Sequence, residues 1–306
     1  MEMAWIILKQ TLTMATYMAV GWCLFKCGKM TLEGSKTLAT LLMWLIIPVV
    51  VIRAFCVEFS VHRLWMLLQS FALSAVALLI STNLSKLIFR QNAIDRFSAA
   101  FSNAGFIGIP LVSAALGEEA VFYLCGMLVF VNVMQWQWGE RVIGGKKSRL
   151  SLKLFKTNPF ILATLIGFVL FVTGLGTKLP EVLSGAMKGI ADLNGPLAML
   201  ILGVYLAQTK MSTLFTTPRL YLISAVRLWL MPLVTVLVFS LFPIDNTVRM
   251  AVLISSSTAV GSNVAVYAQM HGGDYPYACK VVALSTLVSI IMMPLFIVVA
   301  TAILDI

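Results

Sequence analysis

The stretch Phe97-Ser-Ala-Ala-Phe-Ser-Asn103-Ala-Gly105-Phe-Ile-Gly108-Ile-Pro110-Leu-Val-Ser-Ala-Ala-Leu-Gly117 is apolar enough for a bilayer but poorly suited to an unbroken helix. Pro110 has no N–H for the carbonyl four residues back, and its ring clashes with that carbonyl. Gly105 and Gly108 lower the cost of unwinding just before it. Two readings follow. One is a proline kink with glycine used for close helix packing. The other is a local break that frees carbonyls around Ile107–Ile109 and leaves a half-helix N-terminus in mid-membrane. Unpaired backbone at that depth survives only if buried in protein or facing a water-filled cavity, and a helix N-terminus attracts anions. A second stretch, Leu253 to Gly273, has the same character without proline: Ser255, Ser256, Ser257, Thr258, Gly261, Ser262 and Asn263 fall close together. Hydroxyls can also bond back to their own helix, so a structural role stands beside a functional one.

The surrounding chain sets the solvent. Of 306 residues, 60% are hydrophobic and 11% charged, and the mean hydropathy is +0.97. Soluble domains hold about 45–50% apolar and about 25% charged residues, so a water-soluble enzyme is excluded. Ten apolar segments lie near 5–25, 38–57, 64–89, 97–117, 120–138, 159–176, 190–208, 219–242, 248–270 and 279–303. A transmembrane helix takes about 20 residues, and backbone in lipid must pair within its own segment. The alternating runs of a barrel do not occur. The fold class is therefore an all-α polytopic membrane protein of ten transmembrane helices.

The net charge of +10 does not point to nucleic acid, because the basic residues sit between apolar runs. Links after odd-numbered segments hold 15 Lys and Arg; the opposite side holds 6. The longest link, 141–158, carries Arg141, Lys146, Lys147, Arg149, Lys153 and Lys156. The positive-inside rule puts these links in the cytoplasm and both termini outside. Glu2 and Lys9 interrupt the first apolar run and no small-residue cleavage site follows, so that run is expected to be retained.

Five segments precede the basic link and five follow it, which predicts an inverted 5+5 repeat: 1–140, the link 141–158, then 159–306. Gly21-Trp-Cys-Leu-Phe-Lys-Cys-Gly28 and Gly167-Phe-Val-Leu-Phe-Val-Thr-Gly174 agree at four of eight positions. The two polar, glycine-containing segments are each the fourth of their half. Paired interrupted segments of this kind point to a transporter binding site.

Few ionisable residues lie inside the spans. Arg227 sits about two turns into segment eight, where it is either functional or snorkels to the interface. Asn132, Gln135 and Gln137 in segment five are read as interhelical glue. The five cysteines are scattered among apolar residues and are expected as free thiols. Metal-ligand clusters, nucleotide-binding loops and hydrolase motifs do not occur, which predicts no cofactor, no metal and no enzyme.

With these residues in view, the chain resembles the auxin efflux carrier family, its bacterial permeases and plant PIN-type members alike. Ser102-Asn103 followed by Gly108-Ile109-Pro110-Leu111 resembles the fourth-helix signature. Ala225-Val226-Arg227 with Pro232 is similar to the eighth helix. Tyr267-Ala268, Gly272-Gly273-Asp274, Ser285-Thr286-Leu287 and Pro294-Leu295 are similar to the ninth and tenth, and Pro48 and Gly195-Pro196 also fit. The resemblance implies a scaffold of helices 1, 2, 6 and 7, a transport unit of helices 3–5 and 8–10, and crossed broken helices 4 and 9. It implies a homodimer through the scaffold, the cytoplasmic membrane as location and, from the short link, a prokaryotic origin. The ninth-helix prolines of the family fall near Ala259 and Val264, neither of which is proline; Gly261 is left to provide that break.

The expected function is secondary transport of a small organic anion, a carboxylate, by alternating access. Asn103 and Asn263 would donate to the carboxylate, with backbone at Gly105, Gly108, Pro110, Gly261 and Ser262, Thr258 nearby, and Arg227 balancing charge. The alternatives are a sodium symporter like the related bile-acid carriers, with Ser256, Ser257 and Gln269 among its oxygen ligands, and a membrane sensor that binds without transporting.

Overall fold

The computed structural model describes residues 2–145, 158–209 and 211–306. The basic side chains of the central link from Lys146 to Lys156 lie outside the described residues, as does Lys210. The described chain is helical almost throughout. We label α1 Glu2–Lys26, α2 Leu32–Ala54, α3 Val61–Ile88, α4 Ala93–Ala100, α5 Ala104–Leu116, α6 Glu118–Gly144, α7 Pro159–Thr173, α8 Glu181–Ala207, α9 Pro218–Phe239, α10 Asn246–Ser256, α11 Asn263–Met270 and α12 Tyr275–Leu304.

Six of these, α2, α3, α6, α8, α9 and α12, are long and apolar enough to cross a membrane. The other expected segments depart from ten uniform spans for visible reasons. Lys9, Gln10 and several threonines dilute α1, which still runs 25 residues. Asn158 caps α7 at its start and Gly174, in a left-handed conformation, stops it after 15 residues. Segments four and nine are each two helices. Segment seven begins earlier than its hydropathy suggests, because the first half of α8, Glu181–Asp192, buries no residue.

Side-chain acceptors open many of the helices. Thr31, Ser60, Asn92, Asn158, Asp245 and Asp274 each accept from N–H groups two or three residues ahead, satisfying donors that lack intrahelical partners. Large apolar side chains such as Trp5, Trp44, Trp65, Leu79 and Ile291 stay exposed on the outer helix faces, a surface suited to lipid.

Close packing rests on small residues. A Cβ on Gly21 of α1 would overlap the backbone of Leu200 on α8, and one on Gly203 of α8 would overlap Met18 on α1, so those helices meet backbone to backbone. Gly167 of α7 abuts Phe55, which follows α2, where a Cβ would come within 2.6 Å of the ring.

Prolines in three spans share one solution. In α2, α5 and α9 a widened π turn (Leu42–Ile46, Ala104–Gly108, Val226–Leu230) ends two residues before Pro48, Pro110 or Pro232. The residue before each proline pairs five residues back: Ile47 with Leu42, Ile109 with Ala104, Met231 with Val226. The wide turn moves the carbonyl away from the ring, and the proline then stands in the first turn of the following α-helix, where no N–H is needed. This corrects the expected break around Ile107–Ile109: the chain stays helical from Ala104 to Leu116, and the break lies earlier, at Phe101–Asn103.

Candidate functional site

Segment four stops at Ala100 and restarts at Ala104; segment nine stops at Ser256 and restarts at Asn263. The two interruptions cross and pair as a short antiparallel bridge between Ser102 and Val260. Asn103 N–H donates to the Ala259 carbonyl at 2.9 Å, and Gly261 N–H donates to the Phe101 carbonyl at 3.0 Å. Each break thus satisfies the other's backbone, so segment nine needs no proline to be broken. Gly261 sits tight against the other strand: a Cβ there would lie 3.1 Å from the Ser102 carbonyl oxygen. The Ser285 hydroxyl of α12 accepts from Val260 N–H at 3.2 Å and braces the bridge from behind.

A cavity of about 40 Å³ lies at the crossing. Ser102, Asn103 and Gly105 line it from segment four, and Gly261, Ser262 and Asn263 from segment nine. Asn132 and Gln135 line it from α6, and Met43, Ile47, Phe106 and Phe160 add apolar wall. The helix starts at Asn103 and Ser262 have no side-chain cap, so the donor ends of α5 and α11 stand by this space. Two buried polar atoms here lack a protein partner: Asn103 Nδ2 and Ser102 Oγ. The opposite asparagine is tied down, since Asn263 Nδ2 donates to Gln135 Oε1 at 2.6 Å. Asn132 Nδ2 donates to the Leu128 carbonyl of its own helix at 2.8 Å.

Of the residues expected at the site, Asn103, Gly105, Gly261, Ser262 and Asn263 line this one cavity. Gly108 instead packs against Ser255, and Pro110 against Gly195. The Thr258 hydroxyl donates to the Ser255 carbonyl. Arg227 does not line the cavity and does not snorkel; it is 1% exposed and bonded to backbone carbonyls. The residues named as sodium ligands do not line this cavity. The Ser256 and Ser257 hydroxyls donate to Leu253 and Ile254 carbonyls, and Gln269 is exposed on the last turn of α11. Sequence reasoning left out Ser102, Asn132 and Gln135. The available signal was the i, i+3 spacing of Asn132 and Gln135, two amides on one face of an apolar span.

A larger vestibule of about 450 Å³ opens beyond the other end of the α2–α5 contact. Val50 and Ile109 line it about one turn from Ile47 and Gly105 of the inner cavity. Arg53 pairs with Glu118 at 2.8 Å, and Lys188 with Asp192 at 3.1 Å and Glu118 at 3.8 Å, on its wall. Cys56 also lines it, and burial pushes its thiol above the ordinary range, with Arg53 offsetting part of that shift.

The class these features define is a multi-pass helical membrane protein built around two crossed, interrupted helices. Residues 147–297, just under half of the chain, match the family model described as Membrane transport protein, in keeping with the auxin efflux carriers that its motifs resemble. An "Uncharacterized transporter" from Methanothermobacter thermautotrophicus is 27% identical over 208 residues. That similarity covers 65% of this chain, and the chain spans 65% of the relative's length.

Proposed function

We propose that the protein is a secondary transporter of a small organic anion, a carboxylate, and that the anion binds at the crossing. The observation that carries this reading is the unpartnered Asn103 Nδ2, 5% exposed, in a cavity it shares with the equally unpartnered Ser102 Oγ and two uncapped helix N-termini. A buried donor without a partner costs about 1–3 kcal/mol, a cost that a carboxylate oxygen would remove. The positive ends of the α5 and α11 dipoles favour the same charge. The family match and the transporter relative support transport over sensing.

The cavity admits little more than a water-sized group, so the conformation described is closed around the site. Ile47 of α2 stands at Gly105 of α5, 3.4 Å from where a Cβ would be. Asn194 of α8 donates to the Gly105 carbonyl at 3.4 Å. In our reading α1, α2, α7 and α8 form the scaffold, the remaining helices move against it, and these contacts part to admit the anion from the vestibule. An inverted 5+5 repeat is supported by paired contacts: Gly21 on Leu200 matches Gly167 on Phe55, as expected if α1 and α7 are equivalents, and α2 and α8 are too. The vestibule then faces outside with both termini, in a cytoplasmic membrane, and scaffold helices supply a homodimer interface.

Proteoliposomes test the function. Labelled carboxylate should accumulate by counterflow, and Asn103→Ala should reduce this strongly while leaving the melting temperature unchanged or higher. Failure of any mono- or dicarboxylate to bind or exchange would overturn the reading. Cysteine labelling tests the orientation. An impermeant maleimide added to intact cells should reach Cys56 and miss Cys23 and Cys27 at the far end of α1. Because the thiolate is the reactive form and the Cys56 thiol is raised, its labelling should keep accelerating above the pH at which a free thiol levels off.

A further inference from the structure

The buried guanidinium of Arg227 joins the C-terminal ends of both broken helices. Nη1 donates to the Ala99 and Ala100 carbonyls at 3.2 and 3.4 Å, the last residues of α4. Nη2 donates to the Ser256 carbonyl, the last residue of α10, and Nε donates to the Thr258 carbonyl at 3.2 Å. A helix leaves its final carbonyls without intrahelical partners, and its C-terminal end carries about half a negative charge. Two such ends converging on one point amount to about one negative charge, which one guanidinium matches. Among the described residues no carboxylate is paired with Arg227; the buried Asp95 at the start of α4 pairs with Arg219 and Tyr277 instead.

Carbonyls of unwound segments and half-helix ends are where broken-helix transporters hold a coupling cation. Here a side chain from a third span, α9, supplies that charge covalently. We infer that Arg227 is a built-in cation: it takes the place of a coupling metal ion at the crossing, fixes α4 against α10, and makes the crossing independent of sodium. Arg227 is thus a positioning residue. It keeps the acceptor ends of α4 and α10 neutralised on one side of the crossing while the donor ends of α5 and α11 remain available to the anion on the other. The clamp is read from the geometry alone; its consequence for coupling rests on the anion-carrier reading above.

The test has a stability arm and a binding arm, run on the full chain in nanodiscs. Wild-type melting temperature should be the same in sodium, potassium and N-methylglucamine chloride at equal ionic strength. Arg227→Ala should melt lower and recover with millimolar methylguanidinium or with sodium, either of which can enter the vacated carbonyl cage. Arg227→Lys should fall between the two and show less rescue. A wild type whose melting temperature or carboxylate affinity rises specifically with sodium would overturn the inference. So would an Arg227→Ala protein as stable as wild type, or one that neither cation rescues. If Arg227→Ala does not fold, the wild-type cation series still decides. Absence of carboxylate binding in any salt, together with methylguanidinium rescue, would reject the anion reading and leave the clamp standing.

Discussion

Segments four and nine meet at one crossing with opposite sequence punctuation. Segment four carries Pro110, yet it is helical through that proline and broken where no proline stands, at Phe101–Asn103. Segment nine has no proline and is broken over Ser257–Ser262. The break therefore belongs to the pair. What each chain needs is a neighbour whose backbone can take its free N–H and C=O groups, and each finds it in the other through the Ser102–Val260 bridge. Proline needs only a widened turn, which α2 and α9 also provide without a break in the helix.

The strongest way to break this pairing is to separate the two strands. Gly261→Val would push a side chain into the Ser102 carbonyl, 3.1 Å from the Cβ position, and towards Gln135 Nε2 at 3.4 Å. Overpacking of this kind costs about 1–3 kcal/mol, and the carbonyl it strikes belongs to the bridge. Transport should be lost and the melting temperature should fall. A glycine change on the segment-four side, Gly105→Ala in α5, meets only the flexible end of Ile47 at 3.4 Å, and it should fold normally. A Gly261→Val protein that transports normally would show that the bridge is not needed.

The two asparagines of the crossing differ in the same way. Asn263 is already committed to Gln135, whereas Asn103 Nδ2 has no partner. Asn263→Ala should therefore lower stability, by about 1–3 kcal/mol for the amide left behind. Asn103→Ala should leave stability unchanged or raised and instead weaken anion binding by about 1–3 kcal/mol, roughly tenfold for each 1.4 kcal/mol. Thermal unfolding and equilibrium binding of both variants check this. Equal losses of stability in the two would remove the distinction between a tied and a free donor.

Much of this was legible in the sequence because lipid leaves few solutions. An apolar run such as 64–89 had to be a helix, and α3 runs Val61–Ile88. The importance of segments four and nine followed from polar residues placed where lipid forbids them. Their internal geometry did not follow. Residues 101–103 carry no local breaker, and only the distant strand at 259–261 explains why the helix stops there. Arg227 was visible as a charge inside a span, functional or snorkelling, but its partners are backbone carbonyls, which have no sequence signature. For the same reason the pairing of Asn263 with Gln135, 128 positions apart, could not be read from either residue.

The smallest effect belongs to Pro110. Had it created the break, Pro110→Ala would let a helix re-form, with a gain approaching the roughly 3 kcal/mol that proline costs in a helix interior. The helix is already continuous and the widened turn has removed the ring clash, so most of that gain is absent. What proline leaves behind is one free acceptor. Ile109 N–H pairs with the Ala104 carbonyl, so in that register the missing N–H of Pro110 would have reached Gly105. The Gly105 carbonyl instead accepts from Asn194 of α8, and Gly195 packs on the proline ring, 3.4 Å from where a Cβ would be. Pro110→Ala adds a donor that competes for this carbonyl and loosens one contact between the two helix groups that part in the proposed transport cycle. The expected outcome is a stability change below about 1 kcal/mol, the size of one ordinary hydrogen bond, with transport kept and its rate shifted modestly. Asn194→Ala, which removes the same contact from the other side, should shift the rate in the same direction. Proteoliposome kinetics on the two variants and their combination check it: a double variant no different from either single would place both on one contact, while a Pro110→Ala protein several kcal/mol more stable and inactive would return the break to the proline.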